Sequence, residues 1–119
     1  MSKGPRSVEE LNGLVISLPT PDATADNDEI VRLASLTRKA KFTDQEQAEL
    51  DRASDFDRIL VAMASNLLDG KRFSVCSDSH KTLDRVRSLA QHLGASVNAE
   101  FYDRLAGKPA IVFDPPPRQ

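Results

Sequence analysis

At 119 residues the chain is long enough for one domain whose core closes without a metal or a disulfide. A composition of 39% hydrophobic and 29% charged residues excludes a disordered polypeptide, and no apolar run approaches the roughly 20 residues of a membrane span. The net charge of −2 argues against indiscriminate attraction to nucleic acid or anionic membranes, and a single cysteine excludes an intrachain disulfide framework.

The opening "MSKGPRSVEE" has no apolar stretch behind its charges, so it does not read as a secretory leader. Residues 1–12 are expected to be loosely ordered, with at most a helical turn at Val8–Leu11 from the capping-box spacing of "SVEE". A single domain is expected over 13–114. "LVISLP" (Leu14–Pro19) is a short apolar run ended by proline and reads as a strand; "PTPDATADND" is a loop rich in turn formers.

Helical spacing then predicts a helix over Asn27–Lys41, with Ile30, Leu33 and Ala34 on one face and Arg38, Lys39 and Lys41 at its carbonyl end. "TDQE" (Thr43–Glu46) has capping-box spacing and starts a polar second helix ending near Ala53. Ser54 restarts the pattern. Phe56, Ile59, Leu60, Met63, Leu67 and Leu68 then mark a strongly amphipathic helix that stops at Gly70.

"KRFSVCS" alternates as a strand, with Phe73 and Val75 on one face and Ser74 and Cys76 on the other. A helix follows from Ser79 to Leu93, burying Leu83, Val86, Ala90 and Leu93 and ending at Gly94. "ASVNAEFY" reads as a strand with Val97, Ala99 and Phe101 inward and Asn98, Glu100 and Tyr102 outward. "AIVFD" (Ala110–Asp114) is the last strand, expected as an outer one, and residues 115–119 form a proline-rich tail.

The order implies an α+β fold: a small mixed sheet of about four strands with a C-terminal antiparallel hairpin, covered on one face by three to four helices. The Phe73 and Val97 strands, joined by a crossover helix, should run parallel and right-handed. The plan resembles that of small sulfur-carrier proteins, whose Cys-Pro-x-Pro motif would fall where this chain reads "LPTP". No thiol stands there, so the likeness is one of topology and implies no chemistry.

Three function classes follow from the side chains. The two histidines stand twelve residues apart on one helix, about 18 Å along its axis, and cannot share a metal; no Cys/His cluster has zinc spacing. No catalytic residue, metal or cofactor is therefore expected. A small cytoplasmic interaction or regulatory protein, acting as a homodimer or on a protein partner, is the favoured reading. Its contact surface is expected at Val112 and Tyr102, left over on the uncovered side of the sheet.

The second class is a nucleic-acid module. From Asp22 to Arg58 ten acids face six bases, whereas Lys71 to His92 holds five Lys/Arg against two acids. Lys81, Arg85 and His92 share one helix stripe, with Lys71 and Arg72 ahead of it, a pattern that can follow a phosphate backbone. The third is a carrier or enzyme at Cys76, near a helix start and four residues before His80. Ser77–Ser79 read more simply as helix-capping side chains, and Cys76 as a small packed side chain.

Overall fold

The structure is a computed structural model and describes residues 16–17, 25–39 and 41–117. The turn expected at Val8–Leu11 and most of the strand expected at Leu14–Pro19 lie outside the described residues. The elements run β1 (Ile16–Ser17), α1 (Asn27–Thr37), α2 (Asp44–Arg52), α3 (Asp55–Leu68), β2 (Phe73–Cys76), α4 (His80–Leu93), β3 (Ser96–Asp103) and β4 (Lys108–Asp114). This is an α+β fold, with β1 pairing parallel to β2 and the other strands pairing antiparallel.

Each helix begins where a short polar side chain takes up an orphan N–H. Asp26 accepts from Glu29, Ser54 from Asp57 and Ser79 from Thr82. At α2 the capping box is reciprocal: Glu46 N–H donates to Thr43 Oγ1, and Thr43 N–H donates to the Glu46 carboxylate at 2.8 Å. That box also shortens α1, expected to reach Lys41. Thr43 must be extended to cap α2, so α1 closes at Thr37 and Lys39 Nζ turns to Glu46 at 2.6 Å. Gly94 ends α4 with φ 80°, a left-handed conformation a side chain resists.

The helices and sheet enclose a core of Ile30, Leu33, Leu60, Met63, Leu67, Leu83, Val86, Leu89, Val75, Ile111 and Phe113, with Met63 and Phe113 fully buried. Ile59, Leu68 and Leu93 lie at its margin, half-buried. A second, smaller cluster of Cys76, Ala110 and Val112 lies on the opposite face of the sheet, with Ala99, Phe101 and Ala106 against it.

The strand order is β1-β2-β4-β3. This corrects the expectation that Ala110–Asp114 is an outer strand: β4 is inserted between β2 and β3. The physical reason lies in its sequence. Ala110–Phe113 is apolar on both faces and fully covered on both, which suits a central strand. β2 and β3 do point the same way, but β4 separates them.

A second correction concerns the phase of β3. Val97 pairs with Phe113, and Ala99 pairs with Val112, so Asn98 is an extra residue bulged out of the ladder. Its side chain donates to Asp114 at 2.9 Å, which holds the bulge. Beyond it the faces exchange. Val97, Glu100 and Tyr102 share the helix side, while Ala99 and Phe101 join the second cluster.

Candidate functional site

The corner at Val75–Thr82 is built as a turn. Ser77 N–H donates to the Pro109 carbonyl at 3.1 Å, Ser77 Oγ accepts from Ser79 N–H at 3.0 Å, and Ser79 caps α4. Cys76 is 0% exposed, in the strand that leads into the corner. A thiol so enclosed behaves as a small apolar side chain.

The basic stripe is dispersed rather than gathered. Arg85, half-buried, turns from α4 toward the start of α1, donating from Nη1 to Asn27 Oδ1 at 2.6 Å and from Nη2 to the Ala25 carbonyl at 2.7 Å. Burial lowers its affinity for its proton, an effect opposed by the Asp57 and Asp26 carboxylates nearby. Arg72 pairs with Asp114 at 2.7 Å, and His92 Nε2 lies 3.1 Å from Asp28. The Asn98 amide, and after it Arg72, hold the Asp114 carboxyl below its ordinary value. Lys71 and Lys81 stand exposed, one ahead of β2 and the other at the first turn of α4.

Val112 and Tyr102 do not share a surface. Val112 is 0% exposed in the second cluster, which corrects the expectation that it lies open; Tyr102 is 61% exposed and on the other face of the sheet. Val112 is enclosed with Cys76 and Ala110, and Ala99, Phe101 and Ala106 pack against them.

Two clefts lie among α1, α2 and α3. One, of about 550 Å³, has an apolar floor of Leu50, Ala53, Val61 and Ala62. The other, of about 270 Å³, is filled with ion pairs: Arg32 bridges Glu29 at 2.7 Å and Glu49 at 2.8 Å. Asp57 lines it, 8% exposed, with Oδ2 accepting from Ala25 N–H and Oδ1 without a hydrogen-bond partner among the described residues. Among the described residues no group of three or more His, Cys, Asp or Glu side chains is placed to hold a metal ion. Among them too, no helix is long and apolar enough to cross a membrane.

The remaining surface feature is a strand. β3 spans eight residues at the edge of the sheet, and among the described residues no strand pairs with its outer side. It overhangs the helical layer, so Val97 (44% exposed) and Tyr102 stand open, and the turn that follows carries Leu105 at 70%. That turn is fixed by Asp103, whose carboxylate accepts from the N–H groups of Leu105 and Ala106. Glu100 is engaged within the chain by Arg87. The sequence carried a signal for this edge. Asn98, Glu100 and Tyr102 make β3 the more polar member of its hairpin, whereas β4 is apolar throughout its middle.

The fold and this surface define a small α+β protein in which, among the described residues, the long strand β3 is unpaired on its outer side. The chain matches no family model, and no curated protein and no solved structure is significantly similar to it.

Proposed function

We propose that this chain is a small cytoplasmic interaction protein, acting without catalysis, that engages a partner polypeptide by strand addition along β3. The observation that carries the reading is the eight-residue edge strand. Its outward N–H and C=O groups form a row of directional hydrogen-bonding sites, and natural domains usually shorten, charge or cover such an edge. Here the one charge between Ala99 and Tyr102 is Glu100, and Arg87 already neutralises it. Tyr102 and Val97 add apolar area beside the backbone.

The two other classes lose support from the placement of their residues. A nucleic-acid surface needs cations presented together, and Arg72, Arg85 and His92 are each engaged by groups of this chain. A reactive thiol needs access, and Cys76 has none.

The test uses proline as an edge block. Of two adjacent strand residues, one turns its N–H toward the neighbouring strand and the other turns it outward. Of Phe101→Pro and Tyr102→Pro, therefore, one breaks the β3–β4 ladder and the other removes an outward donor while leaving the fold intact. Circular dichroism identifies the folded variant. Affinity purification from the native cell, with and without nuclease, should then recover a nuclease-resistant protein partner with the wild type and lose it with that variant. Retention of the partner by the folded variant refutes strand addition. Loss of every partner on nuclease treatment would favour the nucleic-acid reading.

A further inference from the structure

We infer that the occupant of the β3 edge is a second copy of this chain, paired antiparallel about a two-fold axis at Phe101. The inference rests on the strand-addition reading and adds the identity and register of the partner.

The register follows by elimination. The bulge at Asn98 confines regular pairing to Ala99–Asp103, a stretch centred on Phe101. A dyad there places Phe101 against its own copy, Glu100 against the partner's Tyr102, and Ala99 against the partner's Asp103. Every pair then joins residues of the same face, as a ladder requires. An offset by one residue sets opposite faces against each other. Moving the dyad to Glu100 draws the bulged Asn98 into the ladder opposite the partner's Tyr102. Moving it to Tyr102 runs the pairing into the turn at 104–107.

In the Phe101 register the side chains complement one another. On the helix side, the Tyr102 hydroxyl of one copy is placed to donate to the Glu100 carboxylate of the other, while Arg87 keeps that carboxylate neutralised. On the opposite side, Phe101 is half-buried against Ala110 and Val112. Facing Phe101 rings would carry that apolar layer across the axis without a break. Asp103 is fully buried and bound to the N–H groups of its own turn, so it brings no open charge to the partner's Ala99. The assembly closes on itself. A two-fold contact uses β3 from both copies and leaves no second β3 edge for further addition.

The contact is short, so the dimer should be weak and in exchange, as small interfaces are. Sedimentation equilibrium on the full chain should give a mass rising from one chain toward two over about 1–100 µM. The register is read by cross-linking. When the Glu100→Cys and Tyr102→Cys variants are mixed in equal amounts and oxidised, a disulfide-linked dimer should form in high yield. Each variant alone should form several-fold less, because like positions are then offset by two residues, beyond the roughly 3.8 Å Cβ separation of a disulfide. Cys76 is buried and does not compete. A mass of one chain at every concentration overturns the inference, as does equal cross-linking of the single variants. If the chain stays monomeric while the proline block still abolishes a cellular partner, the second-copy inference fails and strand addition stands. If the proline block has no effect either, both fail.

Discussion

Replacing Arg85 separates a structural cation from a binding one. The side chain leaves α4 and donates to Asn27 and to the Ala25 carbonyl, tying the sheet-covering helix to the segment that starts α1. Hydrogen bonds from a charged donor contribute about 1.5–3 kcal/mol each, and the half-exposed end of the guanidinium calls for the lower figure. Arg85→Met keeps most of the aliphatic packing and loses both bonds, which leaves the Ala25 carbonyl and the nearby Asp57 carboxylate without their cation. The expected loss is about 3 kcal/mol. At roughly 2.1 cal/mol/K of unfolding entropy per residue, each kcal/mol moves the Tm of a chain this long by about 4 °C, so Tm should fall by roughly 12 °C. Arg85→Lys should recover less than half, since an ammonium cannot span both acceptors. Urea unfolding with an unchanged slope is the assay, and Lys81→Met, at an exposed position on the same helix, is the control at about 0.5 kcal/mol or less. An Arg85→Met variant as stable as that control would refute the structural role and return Arg85 to the surface.

Met63 is fully buried in the helix–sheet core, so Met63→Asp should cost about 4 kcal/mol or more and abolish near-ultraviolet circular dichroism; a native spectrum would place α3 in solvent. Cys76 should resist alkylation near neutral pH until the chain unfolds, and Cys76→Ala should cost on the order of 1 kcal/mol; fast native-state modification would reopen the carrier reading. Asp114 has a folded-state pKa below its ordinary value of 3.8, so its contribution is complete above that value and is lost as pH falls through the lower folded one. Asp114→Asn should therefore lower stability at neutral pH and converge with the wild type in acid; an equal difference at all pH values would rule out the charged contact.

The helices were legible because their signals are local. Thr43 and Ser54 each cap where the spacing put them, and Gly94 stops α4. Strand order was not legible in the same way. The apolar run Ala110–Phe113 signals burial on both faces, a demand met by a central strand as readily as by an interface, and only the long-range pairing with β2 decides between them. The reversal of faces along β3 depends on one residue, Asn98, whose side chain prefers Asp114 to the ladder. The candidate site suffered from both effects. Val112 reads as open because the sequence shows helices for only one face of the sheet, and Arg85 falls on a stripe because helical spacing gives a direction but not a partner. Tyr102 is open, but on the helix side of the sheet and not on the uncovered side that its alternation with Phe101 implied.

Strand addition depends on the outer edge of β3. Amide hydrogen exchange resolved along Ala99–Asp103 in the wild-type chain measures it directly, because inward amides are held by β4 and outward ones are protected only by an added strand. The outward-facing amides in this stretch should exchange fast at low micromolar concentration and slow as the concentration rises toward the millimolar range, while the inward amides stay protected throughout. Outward amides that exchange at the same fast rate across that range, with the fold intact, would contradict pairing with a second copy; the same result in the presence of a purified cellular partner would contradict strand addition itself.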